Sequence, residues 1–211
     1  MGFAGIIGHS PVEVSPGSIL SRSMLTDRFA QAAHYAIELH RAQTRKATSI
    51  PYVTHLFAVC SLVLEDGGTE DEAIAALLHD GPEDQGGPAV LEEIRTRFGD
   101  PVAAIVASLS DALPAPGEAK PPWRKRKEAY LRHLASAPAS VLRVSLADKL
   151  HNSRSIRVDL RGEGEAFWDR FNAGRADQAW YYRRLLDLFE RRLSASRNLP
   201  EFASLLAELF P

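Results

Sequence analysis

Two segments of this 211-residue chain are apolar on almost every side at helical spacing, and they constrain the fold more than any other feature. In the first, Phe57, Val59, Cys60, Leu62, Val63 and Leu64 leave little room for a polar face. The second is the run Ala73-Ile74-Ala75-Ala76-Leu77-Leu78. A helix that is apolar all round belongs in an interior, so other helices must surround these two. No segment shows the period-two alternation of a half-buried strand. The expected fold is therefore an all-α globule of about 8–10 helices.

Local signals divide the chain further. Thr26 can cap a first helix running to about Thr44, with Phe29, Ala33, Ala36 and Ile37 on one face. A polar loop, Arg45 to Pro51, leads to the first apolar helix, which starts near Thr54-His55 and ends before Gly67-Gly68. Thr69 with Glu72 forms a capping box for the second. That helix must stop or bend at Gly81-Pro82, because proline lacks the backbone donor and clashes with the preceding turn. Pro88 suits the first turn of a helix ending before Gly99, and another covers Pro101 to about Ala112. Pro114 to Pro122 reads as a loop, Trp123 to Ala135 as a basic helix, and Pro138 opens a helix reaching about Ile156. Asp159 to Gly164 is again loop-like, followed by helices from about Gly174 to Leu193 and Pro200 to Phe210. Residues 1–20, with the short apolar patch Phe3 to Ile7 and then Pro11, Pro16 and Gly17, read as an irregular lead-in without the basic start of a signal peptide. Residues 21–211 are expected to form a single domain.

The net charge of −2 gives no global attraction for nucleic acid or membrane, and no apolar stretch reaches spanning length. Cys60, the single cysteine, excludes an internal disulfide and a Cys-based zinc cluster. Its apolar neighbours make it a buried core thiol, and cysteine usage fits a cytoplasmic protein.

Against this background four polar groups are misplaced. Asp148 continues the apolar stripe of Val141 and Val144 at i, i+3 and i+7, where an unpartnered carboxylate is costly. Lys149 follows it directly but leaves the helix about 100° away, which makes it a poor partner. His79-Asp80 ends one apolar helix and His55 begins the other. A single histidine at a helix end is more often a cap or core residue than a ligand, and spacing alone does not decide. Jointly, two imidazoles and two carboxylates suit a divalent ion such as Mn, Fe, Zn or Mg. Glu83 and Asp84 follow His79 and Asp80 at offsets of four. A carboxylate beside a metal can take a proton from a water and orient it for attack on phosphorus; the plain alternative is a solvated acidic loop.

The stretches HRAQTRK (40–46), PYVTH (51–55), LLHDGPED (77–84), RFGDPVAAIV (97–106) and LADKLHN (146–152) carry a resemblance. Their His, His-Asp, Asp order is similar to that of the HD-domain phosphohydrolases. More narrowly, the chain resembles the hydrolase domain of the RelA/SpoT alarmone enzymes and the stand-alone small alarmone hydrolases, over about half its length. The resemblance implies an HD-type helical fold and a Mn²⁺-dependent 3′-pyrophosphohydrolase acting on ppGpp, its pentaphosphate relative or an adenine counterpart; another divalent metal is possible. It implies metal ligation by His55, His79, Asp80 and Asp148, and water activation by Glu83 and Asp84. Arg45 and Lys46 match the family's basic pair near purine and phosphates, Asn152 a residue near the ribose, and Tyr181 an aromatic beside the nucleotide. The chain departs from the family in having Gly81-Pro82 where Thr-Val is common, and Leu56 where proline usually follows the first histidine.

Other residues are weighed on their own terms. Arg124-Lys125-Arg126-Lys127 lies on an amphipathic helix and reads first as a solvated face; Arg126 or Lys127 is the choice for holding distal phosphates. His34, His40 and His133 are assigned to helix surfaces, and His151 to packing rather than to support of the site. Trp180, Tyr181 and Tyr182 read as core, with one of them able to line a pocket. Two other functions are open: a phosphomonoesterase acting on nucleotides or a nicotinamide dinucleotide phosphate, and a non-catalytic alarmone-binding module. Alarmone synthesis would need a second catalytic domain for which this chain has no room.

Overall fold

The computed structural model describes residues 25–110, 121–170 and 173–211. The lead-in over 1–20 and most of the Pro114–Pro122 loop lie outside them. The described residues contain ten α-helices, one 3-10 segment and an isolated antiparallel bridge between Thr44 and Pro51. The all-α expectation holds.

The two apolar helices are the centre. In α3 (Glu70–Leu78) every residue from Glu72 to Leu78 is buried. Its capping box forms as expected: Thr69 Oγ1 accepts from the Glu72 amide, and the Glu72 carboxylate accepts from the Thr69 amide at 2.6 Å. Around α3 lie α2 (Val53–Glu65), α1 (Asp27–Leu39), α6 (Asp100–Leu109) and α8 (Ala139–Glu163). Cys60 is buried within α2. Among the described residues, no helix is long and apolar enough to cross a membrane.

Helix α1 departs from expectation in face and length. Ala32, Tyr35 and Ala36 are buried, whereas Ile37 is 42% exposed. The pattern offered two neighbouring stripes, and the aromatic decides between them: Tyr35 packs on Phe98 at 6.0 Å while Arg97 lies 4.3 Å over its ring. The helix stops at Leu39 because the next residue, His40, is drawn inward. It is buried, stacks on Tyr52 at 5.2 Å and meets Gln43 Oε1 through Nδ1 at 2.7 Å. His40 is thus not the surface residue the sequence suggested. Beyond it, Ala47 adopts a left-handed φ of 58°, and the loop doubles back to the Thr44–Pro51 bridge.

The break at Gly81-Pro82 is present but slight. A one-turn helix, α4 (Gly81–Gln85), restarts at once, with Pro82 in its first turn, where a missing N–H is harmless. The Asp84 amide donates to Asp80 O at 3.0 Å, so helical spacing carries through the break. A Cβ at Gly81 would lie 2.9 Å from Leu39 Cδ2, so this turn packs tightly against α1.

Helix α5 (Pro88–Phe98) meets α6 at Gly99, whose φ is 90°. Then come α7 (Trp123–Ser136) and α8, which runs through Asp159 to Glu163 instead of fraying near Ile156. Tertiary pairing extends it: Arg154 bonds Glu201 at 2.6 and 2.8 Å, and Arg161 bonds Glu208 at 2.7 Å, both partners on α10 (Leu199–Leu209). Gly164, at φ 65°, ends it, and a 3-10 segment (Gly164–Arg170) and α9 (Arg175–Arg192) follow.

A buried ion network ties distant segments together. Arg143 of α8 reaches Asp66, at the end of α2, with Nε 3.1 Å from Oδ2, and also pairs with Glu72 of α3. The Asp66 and Glu72 side chains are only 1% and 4% exposed. Asp66 Oδ1 further accepts from the Arg197 amide at 2.6 Å and Ser196 Oγ at 2.9 Å, which pins the α9–α10 link.

Candidate metal centre and its two cavities

Helix α2 presents His55 from its first turn, α3 ends in His79-Asp80, and α8 carries Asp148 at mid-length. The donor atoms of His55, His79 and Asp80 all lie within 4.8 Å of one another. Asp148 Oδ1 joins them, 3.3 Å from His55 Nε2 and 3.8 Å from His79 Nε2. Asp80 Oδ2 lies 3.6 Å from His55 Nε2 and 3.0 Å from His79 Nε2. His55, His79 and Asp80 thus form one group, which Asp148 adjoins at the two imidazoles.

The imidazoles turn their Nε2 atoms toward the carboxylates. His79 Nδ1 is 2.8 Å from Ala76 O, so it carries the hydrogen and Nε2 faces the group. That Nε2 is buried and has no hydrogen-bond partner. A buried polar atom without one calls for an explanation, and an N₂O₂ donor set open to a divalent cation supplies it. Burial opposes the charged form of His79, but Asp80 and Asp148 outweigh it and lift the imidazole to about 9. Against the same opposition from burial, His79 and His55 hold Asp80 well below the usual carboxylate range, and Lys149 with the imidazoles does so for Asp148. Such carboxylates stay ionised and keep demanding positive charge.

A second ring of side chains orients the first. Tyr52 O–H donates to Asp80 Oδ2 at 2.6 Å. Sequence reasoning missed Tyr52, although its place one turn before His55 is the signal that could have found it. Lys149 lies 2.6 Å from Asp148 Oδ2, contrary to expectation: its four-carbon stem curls back across the angle between successive helix positions. Burial disfavours the Lys149 charge, yet Asp148 more than offsets this and holds the ammonium well above its ordinary value. Asn152 Nδ2 donates to Asp148 Oδ1 at 2.5 Å, and its own Oδ1 accepts from Arg45 at 2.8 Å. His151 is more than packing, since its Nδ1 lies 2.7 Å from His55 Nδ1. Burial and the neighbouring His55 push His151 down to about 4. The contact turns His55 Nε2 toward the Asp80 and Asp148 carboxylates.

Two cavities adjoin this group. The smaller, about 70 Å³, is lined by His79, Asp80 and Asp148 together with Glu83, Lys127, Lys149, Tyr130 and Tyr181. The larger, about 770 Å³, is lined by Arg45, Lys46, Asn152, Tyr52, His151, Gln178, Phe167 and Tyr182, among others. It reaches the group through Tyr52, His151 and Asn152, which contact Asp80, His55 and Asp148 in turn. The nominated residues are thus sorted: Arg45, Lys46 and Asn152 to the large cavity, Glu83, Lys127 and Tyr181 to the small one. Asp84 parts from Glu83, is exposed and accepts from Gln43 Nε2 at 2.8 Å. Arg126 lines neither cavity and donates to Pro121 O at 3.1 Å, so Lys127 is the cation of the basic helix that faces the site. Tyr181 and Tyr182, adjacent on α9, each line a different cavity.

A family model described as an HD domain matches residues 32–178, which include the four donors and every cavity residue named above except Tyr181 and Tyr182. The chain belongs to the HD-domain family. Its HD domain is 35% identical over 130 residues to the guanosine-3′,5′-bis(diphosphate) 3′-pyrophosphohydrolase MESH1 of Xenopus tropicalis, covering 60% of this chain and 68% of that one. It is also 35% identical over 143 residues to the bifunctional (p)ppGpp synthase/hydrolase SpoT of Escherichia coli, covering 64% of this chain but 19% of that much longer protein. The same HD-domain fold appears in the solved structure of a metazoan ortholog of SpoT that hydrolyzes ppGpp, at a TM-score of 0.70 and 24% identity, covering 88% of this chain and 97% of that one.

Proposed function

We propose that this protein hydrolyses the 3′-pyrophosphate of ppGpp-type guanosine alarmones, with a divalent ion, Mn²⁺ in the first instance, held by His55, His79, Asp80 and Asp148. The carrying observation is that three of the four donors line a small cavity with Glu83, while Tyr52, His151 and Asn152, which contact Asp80, His55 and Asp148, line a large cavity with Arg45 and Lys46. Residues 21–211 act as one hydrolase domain on a small-molecule nucleotide in the cytoplasm, without nucleic acid or membrane.

The bound ion supplies Lewis-acid polarisation of the phosphoryl oxygens and makes a nearby water more acidic. The protein's own groups do the rest. The nucleoside occupies the large cavity, where the Arg45 guanidinium stacks on the purine and Asn152 meets the ribose. Glu83, in the small cavity, takes a proton from the attacking water. The water oxygen bonds to the 3′-linked phosphorus as its proton passes to Glu83, the P–O3′ bond breaks, pyrophosphate departs with the new P–O bond, and the ribose O3′ takes up a proton from solvent to become the hydroxyl. In-line displacement requires nucleophile and leaving group on opposite sides of phosphorus, and a base in one cavity with the nucleoside in the other supports that order. Lys127 and Tyr181 face the transferred phosphates.

Incubating the purified protein with ppGpp and Mn²⁺ should release pyrophosphate, and chelator should stop it. Orthophosphate alone would select the phosphomonoesterase reading. Binding without release from any 3′-pyrophosphorylated nucleotide would select the regulatory module.

Two further results are expected of the centre. Replacing His151 with leucine removes the contact that orients His55 and should weaken Mn²⁺ affinity by about 10–100-fold, read by titration against a competing chelator. Because His79 is lifted to about 9, at pH 7.5 it carries a proton that an incoming cation must displace. Metal uptake should therefore release protons, and apparent affinity should fall as pH drops below about 9, by roughly tenfold per unit. Calorimetry in two buffers of different protonation enthalpy counts them; no buffer dependence would mean that His79 is already neutral.

A further inference from the structure

We propose that Asp159 selects guanine over adenine in the large cavity, its carboxylate accepting N1–H and the N2 amino group of the base while the Gln178 amide donates to O6. The inference rests on the hydrolase reading above, which leaves the choice of base without a residue. Three observations carry it. First, α8 acts as a ruler. Asn152, Ser155 and Asp159 fall at i, i+3 and i+7 on one face, and all three line the large cavity. Seven residues of helix rise about 10 Å, which matches the reach from a ribose hydroxyl to the pairing edge of a purine. With Asn152 at the ribose, that edge arrives at Asp159.

Second, the charges around the cavity single this residue out. Its cations are Arg45, Lys46 and Arg154, and among the described residues Asp159 is its one carboxylate. Arg154 is engaged by Glu201 at 2.6 and 2.8 Å, and Arg45 by Asn152 Oδ1 at 2.8 Å. No described residue bonds or pairs with the Asp159 side chain. Third, local structure gives no reason for an acid at this position. Asp159 lies one turn from the C-terminal end of α8, the negative pole of the helix, and aspartate is a weak helix former. From α9, Gln178 lines the same cavity at 8% exposure, and no described residue bonds its side-chain amide.

Guanine offers a carboxylate two donors side by side, N1–H and the N2 amino group, next to an acceptor, O6, that an amide can serve. Adenine turns the N1 lone pair toward the same carboxylate and lacks the N2 donor, so it loses both bonds and sets acceptor against acceptor. The carboxylate also repels phosphate, so the base and not a phosphate sits against it.

The test measures binding to Mn²⁺-loaded protein carrying Glu83→Gln, so that affinity is read without turnover. The probes are the 3′,5′-bis(diphosphates) of guanosine, inosine and adenosine; inosine keeps N1–H and O6 but lacks the N2 amino group. The guanosine probe should bind about 100-fold more tightly than the adenosine probe, the scale of a bidentate base contact. Inosine should fall between, about tenfold below guanosine. Adding Asp159→Asn keeps the shape of the side chain, so Tm and metal content should hold while the three affinities draw together. Adding Gln178→Met should weaken guanosine and inosine alike and leave their ratio standing. Equal binding of the guanosine and adenosine probes, or of guanosine and inosine, overturns the proposal, and neither comparison needs a change at position 159. A preference that survives Asp159→Asn, or a loss that falls on all three probes alike, overturns it too, and unchanged affinities with Gln178→Met overturn the role of Gln178. Turnover of ppGpp by the unsubstituted protein, assayed in parallel, tests the hydrolase reading separately: it can fail while the base preference stands, or hold while the preference is absent.

Discussion

Replacing Glu83 with glutamine is expected to lower kcat for pyrophosphate release by about 10³-fold, within the range general bases contribute, while metal content and Tm stay unchanged. Glutamine keeps the shape of the side chain but cannot take a proton. Glu83 shares the small cavity with three of the four metal-centre residues, whereas its neighbour Asp84 is exposed and accepts from Gln43. Asp84→Asn should therefore cost about tenfold or less, the effect of a shifted neighbour and not of a missing base. Steady-state kinetics on the two variants side by side decide it. If Asp84→Asn proves the more damaging, the proton goes to Asp84 and the order of the two roles is reversed.

The second large effect is on stability. Arg143→Met should destabilise the protein by about 3–5 kcal/mol, because it leaves the buried Asp66 and Glu72 carboxylates without their cation. For a chain of this size that is on the order of a 10 °C fall in Tm, and urea midpoints give the same quantity independently. Neutralising the stranded acids with Asp66→Asn and Glu72→Gln should recover part of the loss. A fall that the added neutral residues do not relieve would point to lost packing of the Arg143 stem instead of stranded charge. The metal centre contains none of these residues, so metal affinity per folded molecule should not change.

The sequence made the candidate centre legible for a simple reason. His55 and His79-Asp80 bound helices with little polar face, and Asp148 continues the apolar stripe of Val141 and Val144, where any polar group needs an account. Pro82 was equally readable as a break, and the structure shows how small it is, since the Asp84 amide still bonds Asp80 O. What stayed hidden depends on partners far apart in the chain. Tyr52 bonds Asp80 across 28 positions, His55 meets His151 across 96, and Arg45 reaches Asn152 across 107; helical periodicity carries no information at such separations. Lys149 was misjudged because angular offset along a helix describes Cβ directions and not where a long flexible side chain ends. The C-terminal part of α8 was misread for a related reason: Asp159, Gly162 and Gly164 suggest a loop locally, while Glu201 and Glu208 on α10 hold the helix from outside.

The burial of α3 bears on how the centre behaves in time. Proteins open piecemeal, and segments with wholly interior side chains open last. His79-Asp80 follows directly on a run whose every member is enclosed and whose first turn is closed by a capping box. Amide exchange along Ala75 to Leu78 should then proceed only by global unfolding, at the slowest rates in the molecule, while the loop bearing Arg45 and Lys46 exchanges early. The pair that fixes the reacting phosphorus would stay rigid while the wall that admits the nucleoside breathes.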